Sequence, residues 1–124
     1  MFSELVAGGI LLTPRGRIGS VTAEAFERAL QAALATAPVV VIDLGGVDYI
    51  SGAGIQVLEQ ASANNMERTI LFGAHDSVHI TLELSGIAGR LRLARSKEEA
   101  LDAIQGSGLK AQGSRLRAQG SSED

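Results

Sequence analysis

The segment Val39-Val40-Val41-Ile42-Asp43-Leu44, bounded by Pro38 and by Gly45-Gly46, restricts the fold of this chain more than any other. Successive β-branched residues lose side-chain freedom in a helix, and the run offers no polar face to water. It reads as a strand buried on both sides, of the kind that lies in sheets with a parallel centre. The neighbouring segments supply helices. Between Thr22 and Thr36, Phe26, Leu30, Ala33 and Leu34 recur at helical spacing, with Thr22 placed as N-cap and Val21 and Phe26 spaced for a hydrophobic staple. From Gly52 to Asn65, Ile55, Leu58 and Ala61 share one face; Asn64-Asn65 then punctuates, and Thr69-Ile70-Leu71-Phe72 reads as a second short buried strand. The strand, helix and strand form a β-α-β unit, expected to be parallel with a right-handed crossover.

The remaining segments are weaker. Ser96-Lys97-Glu98-Glu99 is a capping box ahead of Ala100, Leu101 and Ile104, and Leu91-Arg92-Leu93 before it suits a short edge strand. Strict alternation in Val78-His79-Ile80-Thr81-Leu82-Glu83-Leu84 predicts a strand, although Val78/Leu82 and Ile80/Leu84 are also i,i+4 pairs. Glu4 to Ile18 suits a hairpin turning at Gly8-Gly9, with Pro14 placing its second run at an edge or bulge. Beyond Gly106 the composition shifts to Gly, Ser, Gln, Ala, Lys and Arg, which predicts a flexible tail over 106–124 and one domain over 1–105.

Length and composition narrow the function. A chain of 124 residues buries enough surface for one core without disulfides or metal. The absence of cysteine excludes thiol catalysis, cysteine-ligated zinc and iron–sulfur clusters. A net charge of −3 disfavours nucleic-acid binding by phosphate neutralisation, and three Phe and one Tyr provide almost no base-stacking platform. The longest aliphatic run, Val39 to Ile42, falls far short of the ~20 residues that span a bilayer. Direct membrane insertion is therefore not expected, and the N-terminus lacks a basic leader, so a cytoplasmic location is expected.

The loop Gly45 to Gly54 leads from the central strand into the next helix, where free amides and the helix dipole favour anions. It matches neither a dinucleotide fingerprint, since Val57 replaces the third glycine, nor a phosphate-binding loop, since no Gly-Lys-Ser/Thr occurs. Ser51 has two readings. Its hydroxyl either caps the helix, a role worth about 1 kcal/mol, or accepts a phosphate that would carry about two negative charges to the helix start. Ser51 lacks the glycine elbow of a hydrolase nucleophile, having Tyr49 two residues before it and Ala53 two after. His75 and His79 are spaced for one helix face, but the pattern is not His-Glu-x-x-His and no third metal ligand is evident. No enzyme chemistry, metal or cofactor is expected.

Several of these segments together resemble a known family. Gly16-Arg17-Ile18, Val39 to Leu44, Val47-Asp48-Tyr49-Ile50-Ser51-Gly52-Ala53-Gly54-Ile55-Gln56-Val57-Leu58 and Ser96 to Leu101 are similar to a STAS domain, the family of anti-sigma factor antagonists. The resemblance implies an α/β STAS fold, a mixed four- to five-stranded sheet with a parallel centre flanked by helices in the order β-β-α-β-α-β-α-β-α. It also implies a helix from Asp76 to Leu84. By resemblance the chain is a protein-interaction module that binds an anti-sigma factor with serine kinase activity, releases the sigma factor, and is itself released on phosphorylation at the second helix start. The partner loop carried over is Asp48, Tyr49, Ser51, Gly52, Ala53, Gly54 and Gln56, with Gln60 behind it. The family's usual phosphoacceptor position is Ala53 here and its usual second-strand aspartate is Gly19, which leaves Ser51 as the local acceptor. A scaffold or accessory subunit of a membrane transport complex, of the ABC-type lipid transport kind, is the alternative.

Overall fold

The computed structural model describes residues 2–6 and 8–110. The elements run β1 (Phe2–Val6), β2 (Gly9–Thr13), β3 (Gly16–Ile18), α1 (Ala23–Thr36), β4 (Val40–Asp43), β5 (Val47–Ile50), α2 (Gly52–Asn65), β6 (Thr69–Phe72), α3 (Asp76–Leu84), β7 (Arg92–Leu93) and α4 (Lys97–Lys110), with single 3-10 turns after α2 and α3. The main sheet has the order β1-β2-β4-β6-β7, in which β1 and β2 are antiparallel and every other pair is parallel. A separate pair, β3 and β5, runs parallel beside it. This is the α/β mixed sheet expected of a STAS fold, with β3 and β5 as additional short strands.

β4 organises the interior. Val40, Val41 and Ile42 are fully buried, and their alternation sends side chains into two separate cores. Val40, Ile42 and Leu44 pack with Leu12, Leu71, Phe26, Leu30, Leu58, Val78 and Leu82, the inward residues of β2, β6 and α1 to α3. Val39 and Val41 pack with Leu11, Ile70, Phe72, Ala100 and Ile104, so α4 covers the opposite face. The strand needs no polar side because helices lie on both.

The sequence expectations divide clearly. β4, α2 and β6 lie where the residue pattern places them, and β7 is the short edge strand at Arg92–Leu93. Residues 76–84 are helical, as the family resemblance implies, which corrects the strand expected from the alternation over 78–84. Val78 and Leu82 are buried while Ile80 and Leu84 are 56% and 83% exposed, so one i,i+4 pair serves the core and the other faces solvent. The hairpin turns at Gly8-Gly9 as expected, but β2 lies between β1 and β4 and is not an edge. Pro14 sits beyond its last paired residue and interrupts nothing. The Val21–Phe26 staple is absent: Val21 is 88% exposed and Phe26 buried. Thr22 Oγ1 accepts from Gly19 N (2.9 Å) and donates to Arg17 O (2.7 Å) rather than capping α1, so the turn is tied to the end of β3. At α4, Ser96 Oγ accepts from Glu99 N, and the Glu99 carboxylate accepts from Arg95 N one residue earlier than a capping box requires. α4 continues to Lys110, past the composition boundary at Gly106; residues 111–124 of the expected tail lie outside the described residues.

The C-terminus of α1 has no basic residue in its last turn. Its terminal carbonyls are met from a distance. Arg68, just before β6, donates to Leu34 O, to Ala37 O (2.8 Å) and to Pro38 O (2.9 Å), while Asn65 Oδ1 holds the guanidinium at 2.7 Å. Leu34 O and Ala37 O are orphan carbonyls of the helix end, Pro38 O lies just beyond it, and a cation there also meets the negative end of the helix dipole. Arg68→Met retains the aliphatic stem and loses all four bonds. Chemical denaturation is expected to show a loss of about 2 kcal/mol; an unchanged midpoint would mean water replaces the guanidinium without cost.

Candidate functional site

The expected partner loop is built on β5, which sequence reading takes for an irregular connection. Its register explains why. Gly16 pairs with Val47, but Arg17 pairs with Tyr49 and Ile18 with Ile50, so Asp48 is an extra residue in a β-bulge. The bulge breaks the two-residue alternation: Val47 and Ile50 are buried, and Asp48 and Tyr49 both face solvent. The displaced Asp48 carbonyl accepts from Ser77 Oγ at the start of α3 (3.0 Å).

α2 begins directly after this strand. Ser51 N donates to Ile18 O (2.9 Å), Ile55 N to Ser51 O (2.9 Å), and Ser51 Oγ accepts a long bond from Gly54 N (3.4 Å). Ser51 is thus the N-cap of α2, half-buried, with its hydroxyl at the positive end of the helix dipole. Gly54 is buried where α2 meets the strand pair. A Cβ placed there would lie 2.6 Å from Ile50 Cγ1, 2.8 Å from Ile18 Cγ2 and 3.1 Å from Ile18 O. Only a residue without a side chain lets the helix sit this close.

The carried-over residues therefore fall into two groups. Asp48, Tyr49, Gly52 and Gln56 are exposed, as is Gln60 one turn further on, and Ser51 is half-exposed beside them. Ala53 is half-buried against the core and Gly54 is buried, so these two set the helix position. Tyr49 is 38% exposed, and its ring lies under the Arg17 guanidinium, whose carbon is 4.4 Å from the ring centroid. An open concavity of about 450 Å³ is lined by Arg17, Ser20, Val21, Tyr49 and Ser51. Sequence reading did not single out Arg17 or Val21 as site residues. The signal for Arg17 was its place in Gly16-Arg17-Ile18; Val21 carried none, because its exposure depends on the Thr22 tie.

On the other flank, His75 bridges α3 and the turn before β5. Its Nε2 faces Gly45 O at 3.1 Å and its Nδ1 faces Asp76 Oδ2 at 3.0 Å. Both partners are acceptors, so the doubly protonated ring satisfies both. His79 instead lies near Glu83 one turn along α3, and the two histidines do not converge. Among the described residues no group of three His, Asp or Glu could hold a metal, and no helix is long and apolar enough to cross a membrane.

The family follows from comparison. The STAS domain model matches residues 4–100, and the chain belongs to that family. An anti-sigma factor antagonist from Mycobacterium paratuberculosis superposes with a TM-score of 0.76 at 24% identity, over 84% of this chain and 92% of that one. The phosphorylated form of SpoIIAA, a Bacillus cell fate determinant, gives 0.63 at 16% identity over 83% and 97%. A sulfate transporter family protein from Wolinella succinogenes gives 0.63 at 19% identity over 77% and 83%. These likenesses establish a shared fold. Comparison with curated protein sequences gives no significant match.

Two measurements test this geometry. Gly54→Ala is expected to cost about 1–3 kcal/mol in denaturation and to shift the amide resonances of Ile18, Ile50 and Ser51, because the new methyl must displace α2; an unperturbed variant would disprove the close approach. The hydrogen bond to Asp76, then that to Gly45, raises the His75 pKa above the ordinary 6.5. The folded state then holds this proton more tightly, so its stabilisation is complete below pH 6.5 and lost as pH rises through the elevated folded value. Melting temperature should fall over that interval less in His75→Gln than in the wild type. Equal slopes would remove His75 from the account.

Proposed function

We propose that the chain is a non-enzymatic interaction module of the cytoplasm that binds an anti-sigma factor with serine kinase activity and regulates transcription by partner switching. The observation that carries this reading is the exposed face at the bulged β5 and the start of α2. Asp48, Tyr49, Ser51, Gly52 and Gln56 reach solvent there, and Tyr49 and Ser51 line an open concavity rather than an enclosed substrate cavity. An aromatic ring among adaptable polar groups is the composition of a protein-recognition surface. Membership of the STAS family and the fold shared with anti-sigma factor antagonists support it.

Ser51 is the residue on this face through which phosphorylation would act. A phosphoryl group on its hydroxyl would be favoured by the α2 dipole and would place about two negative charges at the rim of the concavity. Ala53, at the family's usual acceptor position, has no hydroxyl. That absence, with the fold shared with a transporter family protein, favours a second reading as a phosphorylation-independent subunit of a membrane transport complex.

Purification of the chain from its own cells, during growth and under stress, distinguishes the two by the proteins that accompany it and by its intact mass. The first reading predicts an anti-sigma factor with a serine kinase domain, and one added phosphoryl mass that disappears in Ser51→Ala. Transporter subunits as companions, with unmodified protein in both conditions, would establish the second reading. Phosphate at another residue would remove Ser51 from the mechanism.

A further inference from the structure

The concavity beside this face is lined by charge of one sign. Beside the 450 Å³ concavity lies a second, of about 220 Å³, lined by Pro14, Arg15, Arg17, Thr22 and Phe26. The two share Arg17 and Thr22 and so form one groove along the end of β3 and the start of α1. Among the described residues, Arg15 and Arg17 are the only charged residues lining either part. On a chain of net charge −3, this is a local reversal of sign. Asp48, the acidic residue of the candidate site, is exposed and lines neither concavity.

Among the described residues, Arg15 and Arg17 form no ion pair, whereas Arg28 lies 3.7 Å from Glu24 on its own helix and Arg95 lies 3.6 Å from Glu99 in the first turn of α4. Arg17 is nonetheless oriented. It stands opposite Tyr49 in the β3–β5 register with its guanidinium over the ring at 4.4 Å, and among the described residues its N–H groups have no hydrogen-bond or ion-pair partner. Apolar surface lies next to it: Val21 is 88% exposed and Tyr49 38%. A guanidinium with free edges matches a carboxylate in a two-bond fork, and the adjacent Val21 and Tyr49 match an aliphatic side chain.

From this charge complementarity we infer that the groove between β3, β5 and α1 receives an acidic segment of the partner protein, with a carboxylate on Arg17, an aliphatic residue against Val21 and Tyr49, and Arg15 extending the attraction. The inference rests on the reading of this face as the partner surface and specifies what that surface selects. It also gives Ser51 a consequence. Because Ser51 lines the same concavity as Arg17, a phosphoryl group on its hydroxyl would compete with the partner's carboxylate for the same guanidinium.

Selection of a random displayed peptide library against the full chain tests the inference without knowledge of the partner. Enriched peptides are expected to pair Asp or Glu with Leu, Ile or Val and to perturb the amides of Arg17, Val21, Tyr49 and Ser51. The synthetic peptides should bind about tenfold more weakly to Arg17→Ala, more weakly still to Arg17→Glu, and progressively more weakly as salt is raised. Arg15→Glu, at a residue with no ring contact to lose, should also weaken binding and serves as the variant least exposed to misfolding; melting curves check both positions. Neutral or basic peptides seated on Tyr49 and Val21 would overturn the acidic preference and leave the interaction face standing. Peptides that perturb only other faces, or no enrichment at all, would overturn both.

Discussion

The absent side chain at Gly54 allows the first turn of α2 to rest on Ile18 and Ile50, and the geometry of the exposed face follows from that contact. With α2 so close, Ser51 N reaches Ile18 O and the helix start is pinned to β3 as well as to β5. β5 must in turn bulge at Asp48 to keep both Val47 and Ile50 inward. The bulge turns Asp48 and Tyr49 outward, and the register it creates sets Tyr49 opposite Arg17. The close packing contact at Gly54 thus stands together with a strand pair, a helix cap, a cation over an aromatic ring and the concavity beside them.

The two flanks of this face are held differently. On the α1 side the ties are local, a threonine hydroxyl closing the turn between β3 and α1, and they leave Val21 in water. On the α3 side they reach across about thirty positions of sequence, His75 to Gly45 and Ser77 to the bulged Asp48. Behind both, β4 divides the interior into two aliphatic cores and supplies a scaffold that does not depend on what the face binds. A rigid frame with a polar and aromatic rim suits recognition, since little conformational freedom is lost when a partner docks.

Legibility in the sequence follows the range of the forces involved. β4, α1, α2 and β6 are readable because β-branched runs and helical periodicity are local and their burial is one-sided or complete. Residues 76–84 are not, because two interleaved apolar pairs satisfy both periods and only the tertiary fold decides which pair it buries. β5 is hidden by its bulge, which removes the alternation that marks a strand. The interior position of β2 arises from pairing with β4, which no property of its own residues announces. At the candidate site, the sequence places Ser51 as the helix cap, and the family resemblance singles out Tyr49 and Gln56 as proposed contacts. Arg17 meets the Tyr49 ring only through cross-strand register, and Arg68 meets a helix end 31 to 34 positions away.

The central claim is that this chain presents the β5–α2 face, with the groove beside it, to a protein partner. Amide hydrogen exchange of the complex isolated from its own cells, compared with the free chain, tests it most directly. The account predicts new protection in residues 17–22 and 48–56, with α4 and β1 unchanged. Protection confined to α4 or to the β1 edge, with 48–56 exchanging as in the free chain, would contradict it.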